Sequence, residues 1–186
     1  MSRLLTLLLI TLLAGSCATG KKVKEDKKAE FPKSWCGNWE GELRIYTNKG
    51  EAQRLPMEVE ISKVDSSANR YHFALIYGAD KKAGLRPYQL IVKDPSKGHY
   101  VNDEMNGIQM DEYFIGNKLY CWFEVQGTLL LSTFERNGET LHFEIVAGSS
   151  TPVSTSGGEK RDGEHIPIVK TFPVKNVQKA TLKRKK

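Results

Sequence analysis

Cys36-Gly37-Asn38-Trp39-Glu40-Gly41-Glu42-Leu43-Arg44-Ile45-Tyr46 is the stretch on which the fold turns. Trp39, Gly41, Leu43 and Ile45 alternate with Glu40, Glu42, Arg44 and Tyr46. Successive side chains of a strand point to opposite faces, so this spelling gives a β-strand with one apolar face. The same period of two continues downstream. Met57, Val59 and Ile61 alternate with Glu58 and Glu60, and Tyr71, Phe73, Leu75 and Tyr77 follow, then Tyr88, Leu90 and Val92. Asn48-Lys49-Gly50, Asp65-Ser66-Ser67 and Asp94-Pro95-Ser96-Lys97-Gly98 separate these runs with turn-forming residues. Further strands are expected at 99–104, 108–115, 118–125, 128–135 and 139–147, divided by Asn106-Gly107, Gly116-Asn117, Gly127 and Asn137-Gly138. Asn and Gly accept the positive φ that tight hairpins need. No long window carries a helical apolar stripe. The pattern predicts an all-β chain: an up-and-down antiparallel barrel of roughly 8–10 strands, or a sandwich.

The chain has 186 residues, enough for one domain with appendages. Its formal charge of +6 is unevenly placed. Residues 175–186 carry six basic side chains and no acid, and residues 17–32 carry five Lys against three acids. Residues 33–174 hold 16 basic and 19 acidic residues, so the body is mildly acidic. That balance, with the compartment argued next, speaks against nucleic-acid binding.

Residues 1–16 read as a signal peptide: Arg3, an apolar run from Leu4 to Leu13, then Ala14-Gly15-Ser16 before Cys17. The run is too short to span a bilayer and suits a signal h-region. A Cys directly after small residues resembles the bacterial lipobox, although Ala14 stands where that pattern prefers Leu, Val or Ile. The resemblance implies lipidation at Cys17, and several acyl chains give stable membrane anchoring. Ala18, where an Asp would resemble an inner-membrane retention signal, points to the outer membrane. Residues 17–32 then form a lipidated Cys and a flexible basic tether with too little apolar surface to fold, and 33–186 the barrel.

Within the body, 148–164 read as a polar Gly/Ser/Thr-rich loop, and Ile166–Val174 as extended chain interrupted by Pro167 and Pro173. Val174–Lys185 reads as a last strand, which would remove both sheet edges by pairing with the first.

A Gly37-x-Trp39 at the start of a first strand, followed by antiparallel hairpins, resembles the calycin superfamily of lipocalins, fatty-acid-binding proteins, avidins and nitrobindin-like barrels. The resemblance could cover 35–185. It implies that Trp39 packs across the barrel base under a basic residue of the last strand, Lys183 or Arg184, in a cation–π contact. Gly37, Trp39 and Arg184 are therefore structural positions. Nitrobindin-like haem barrels use a late-strand His, and His142 is the candidate here. The alternation, however, sets His142 opposite Leu141, Phe143 and Ile145, and the Tyr-Pro element of that group is missing, since Thr47 follows Tyr46.

The chemistry-bearing residues form no catalytic motif. His72, His99, His142 and His165 make no pair at metal-ligand spacing, and no Cys-x-x-Cys exists. Asp103-Glu104 and Asp111-Glu112 are neighbours that would point to opposite faces, and they read as solvated hairpin ends. The expectation is a non-enzyme without cofactor or metal. Cys36 and Cys121 are candidates for a disulfide in an exported protein, which requires Cα atoms within about 7 Å; otherwise both are small buried side chains.

The inner face then remains. Alternation assigns to it Trp39, Leu43, Ile45, Met57, Val59, Ile61, Leu75, Leu119, Leu129, Leu131, Leu141 and Ile145. Tyr71, Phe73, Tyr88, Leu90, Phe123 and Phe143 are its candidate ligand contacts, with the two tyrosine hydroxyls able to orient a ligand. Barrels of this size fill themselves or hold one small apolar molecule. The leading expectation is a monomeric lipocalin-like lipoprotein of the bacterial outer membrane that binds a small hydrophobic or amphipathic ligand. The alternatives are a filled barrel that serves as a structural or interaction lipoprotein, and a haem-binding barrel.

Overall fold

The computed structural model describes residues 30–186. The leader, Cys17 and most of the tether lie outside the described residues.

Ten strands close into one antiparallel barrel: β1 (Gly37–Thr47), β2 (Gly50–Lys63), β3 (Arg70–Tyr77), β4 (Leu85–Asp94), β5 (His99–Asp103), β6 (Gln109–Ile115), β7 (Lys118–Val125), β8 (Thr128–Asn137), β9 (Thr140–Ser149) and β14 (Val174–Arg184). Each pairs with its sequence neighbour, and β14 pairs with both β9 and β1. The expected closing strand is therefore present, and no edge is left on the main sheet. The polar loop after β9 is more structured than its composition suggests. Short strands β10 (Ser154–Ser156), β11 (Lys160–Arg161), β12 (Glu164–His165) and β13 (Val169–Thr171) form two small hairpins outside the barrel. Gly116 and Asn117 both take positive φ, +58° and +68°, at the β6–β7 turn, as a two-residue hairpin of matching twist demands.

The chain before β1 plugs one end. A 3₁₀ turn over Lys33–Trp35 carries Trp35 beneath the lumen, and the Trp39 indole N–H donates to the Trp35 carbonyl at 3.0 Å. Phe31 stacks on Phe114, with ring centroids 4.4 Å apart, and meets Trp35 and Tyr100 edge-on. Arg184 clamps the plug. Its guanidinium lies 4.3 Å from the Trp39 ring, donates to the carbonyls of Cys36 (2.6 Å) and Ser34 (3.1 Å), and pairs with Glu139 at 2.9 Å. This is the role expected of the last strand's basic residue; Lys183 points outward.

The two glycines flanking Trp39 have separate reasons. Gly37 has φ +142°, and a Cβ there would stand 2.7 Å from the Arg184 guanidinium. At Gly41 a Cβ would lie 2.5 Å from the Thr181 carbonyl oxygen of β14. The Gly-x-Trp-x-Gly spelling thus encodes close approach of the closing strand and room for the clamp.

Above the plug the lumen is filled by Trp39, Leu43, Met57, Val59, Phe143 and Leu182, all nearly inaccessible. Phe73 meets Phe134 edge-on, and Phe134 packs on Phe143. One assignment is corrected. Leu129 and Leu131 face outward, because Leu130 is the residue paired with Phe123 and Ala147, and Phe134 lies opposite Leu119. Three consecutive leucines give alternation nothing to read, so the register there was open by one residue.

Candidate functional site

The wall of the barrel parts between β6 and β7. Their ladder runs from Ile115–Lys118 at the hairpin turn to Glu112–Cys121. Above that pair, Gln109–Asp111 and Trp122–Val125 no longer pair with each other. Both strands stay paired on their other sides, to β5 and β8 respectively. A cleft of about 940 Å³ occupies the gap. Ile108, Met110 and Tyr113 line one flank, and Trp122, Phe123 and Val125 the other. Trp122 is 75% exposed and Ile115, also in the lining, is 62% exposed. An apolar stripe of this size on a barrel exterior needs a reason, since scattered single apolar residues are the ordinary case.

The charged groups in the cleft are of one sign. Glu104, Asp111 and Glu124 line it, and among the described residues that line it none is basic. His99 is the nearest imidazole in sequence pairing, with Nε2 2.6 Å from Asp111 and its ring stacked on Tyr113.

Behind the parting, on the lumen face, stand Glu112 and Asn102. Asn102 is the cross-strand partner of Met110, which lines the cleft, and Glu112 is the partner of Tyr100 and Cys121. The Asn102 amide donates to Glu112 at 3.4 Å, and the Asn102 Oδ1 is buried without a partner. Burial pushes the Glu112 carboxyl up to about 8, against the opposing pull of the Asn102 hydrogen bond. The Cys121 thiol is pushed up to about 12, by burial first and then by Glu112 and Asp111. The reading of Asp111-Glu112 as a solvated hairpin end is therefore corrected: Asp111 is exposed and Glu112 is 5% exposed, on opposite faces as strand geometry requires.

A second, shallower depression of about 310 Å³ lies across the same open end, lined by Ile45, Gln53, Leu55, Tyr77, Arg86 and Gln178. Asn176, lumen-facing opposite Ala147, has a second unpartnered buried Oδ1.

The six candidate ligand contacts separate. Phe123 lines the cleft. Tyr71, Phe73, Leu90 and Phe143 are buried in the packed lumen, Tyr71 toward the plugged base. Tyr88 is half-buried beside Tyr77 near the open end, where burial raises both phenols. Sequence reasoning missed Trp122, Tyr113, Met110, Asn102 and Glu112. The available signal was that β6 and β7 carry large apolar residues at both parities, unusual for strands with one wet face.

Cys36 and Cys121 are free thiols, the first just before β1 and the second on β7, four strands away around the barrel. Cys36 belongs to the base, where its Sγ lies 3.9 Å from the Pro32 carbonyl oxygen. His142 faces outward and meets the Thr181 hydroxyl at 3.3 Å. Among the described residues no group of three metal-capable side chains converges. Comparison of the chain with protein-family models, with curated proteins and with solved structures finds no match.

Proposed function

We propose that this chain is a non-catalytic, lipocalin-like lipoprotein of the bacterial outer membrane, anchored through lipid on Cys17, that binds one small hydrophobic or amphipathic molecule at the open end of its barrel. The cleft between β6 and β7 carries the reading: it is roomy, mainly apolar and edged by a few polar groups, the usual make-up of a small-molecule site. The lower lumen is packed by Phe73, Phe134 and Phe143, so a ligand enters beside the core and does not fill the calyx.

Titration with the neutral dye Nile red tests this. Saturable emission enhancement at one dye per chain, diminished by Trp122→Ala without change in thermal midpoint, is expected. Absence of dye binding by a folded protein refutes it and favours a filled barrel that docks a protein partner through the exposed stripe.

A further inference from the structure

The cleft's charge and the orphaned acceptor behind it specify more than an apolar ligand. Resting on the small-molecule reading above, we propose that the parted β6–β7 wall selects amphiphiles with a cationic amine head over fatty-acid anions, the head seated against Asn102 and Glu112 and the tail along Trp122, Tyr113 and Val125.

Three observations meet at this point. The cleft is edged by Glu104, Asp111 and Glu124 with no basic residue among its lining, so an arriving carboxylate meets only like charge. The Asn102 Oδ1 is a buried acceptor without a donor, one cross-strand step from the cleft residue Met110. A buried acceptor left unsatisfied costs free energy that a donating ligand recovers. Glu112 beside it is a second acceptor, with only the Asn102 amide as its hydrogen-bond partner. An N–H donor reaching past Met110 meets the Asn102 Oδ1 and, by its charge, favours the ionised Glu112; a carboxylate leaves the Asn102 Oδ1 without a donor and finds only the Glu112 proton.

The neighbouring basic side chains are engaged elsewhere. His99 is held at 2.6 Å by Asp111, which lies on the cleft rim, and Lys118 pairs with Glu135 outside the barrel. Arg86, on β4 two strands from β6, lines the shallower depression, and its guanidinium is turned to the carbonyls of Ala83 and Leu85. Burial holds the Glu112 carboxyl up at about 8, and an ammonium brought beside it would draw it down again.

The test is displacement of Nile red by dodecylamine, dodecanol and dodecanoate, one chain length with three head groups, below their aggregation concentrations at about pH 8, where the amine is still protonated. The amine is expected to compete about tenfold or more better than the carboxylate, the worth of one charge-assisted hydrogen bond. Glu112→Gln should remove most of that preference, bringing dodecylamine close to dodecanol in competition. Asn102→Leu should weaken the amine in a protein whose thermal midpoint shows it folded. Equal competition by all three head groups overturns the head-group selection while leaving the small-molecule reading intact, and stronger competition by dodecanoate does the same. Dye binding that no amphiphile displaces overturns the selection as well. No dye binding at all, with a concentration-dependent dimer in light scattering, overturns both and makes a second copy the occupant of the stripe.

Discussion

Replacing Glu112 by Gln should stabilise the barrel, and by an amount that grows with pH. Glu112 has its carboxyl raised by burial from the ordinary 4.5 to about 8 in the folded chain. Between those values the unfolded chain has released the proton and the folded chain still holds it. The native state binds more protons there, so stability falls as pH rises through the window. At about 1.4 kcal/mol per pH unit, the cost is about 1 kcal/mol at pH 5, about 3 at pH 7 and about 4 at pH 8. The groups facing Glu112 do not confuse the reading. Tyr100 and Asn102 on β5 and Cys121 on β7 remain neutral throughout, because burial raises the phenol and the thiol. Met110 and Phe114 flank it on its own strand and do not titrate. Gln keeps an oxygen to accept the Asn102 amide, so shape and hydrogen bond survive. Guanidinium denaturation of both proteins at these pH values measures the gap directly. The variant's midpoint should gain about 1 M on the parent between pH 5 and pH 8. A gap that stays constant with pH, or widens toward acid, would refute the assignment of Glu112 as a buried carboxyl.

Two further substitutions probe the base. Arg184→Lys keeps the charge but loses the fork that reaches Cys36, Ser34 and Glu139 together, so a loss of about 2 kcal/mol in denaturation is expected. Gly41→Ala drives a methyl to 2.5 Å from the Thr181 carbonyl and should destabilise by about 1–3 kcal/mol, with faster amide exchange in the β1–β14 ladder; unchanged exchange there would argue against a tight approach of β14.

Most of the fold was legible because its spelling is local. Strand boundaries followed Asn-Gly and Gly-Asn turns, and the closing strand followed the alternation of Ala180 and Leu182 with Lys179, Thr181 and Lys183. The basal clamp is legible through the Gly-x-Trp resemblance, which points to a basic residue of the last strand. The cleft was not. Where β6 and β7 separate depends on how ten strands share the curvature of a closed sheet, and no residue in either strand announces it. Glu112 is hidden for a related reason: an acid beside another acid reads as wet, and only the register across β5, β6 and β7 turns it inward. The leucine run at 129–131 failed through its own uniformity.

The clamp joins residues 148 and 150 positions apart, Arg184 to Cys36 and to Ser34. A chain emerging from its N-terminus therefore makes Trp39 long before the residue that roofs it. Until β14 arrives, β1 and β9 are both bare edges of a curved, half-apolar sheet, the condition most prone to pairing with a neighbouring chain. Ring closure between sequence-distant strands is also the slow kind of contact to form. This barrel is thus vulnerable during its own assembly in a way the finished molecule is not, and a holding partner during synthesis matters more to it than to a fold that locks strand by strand.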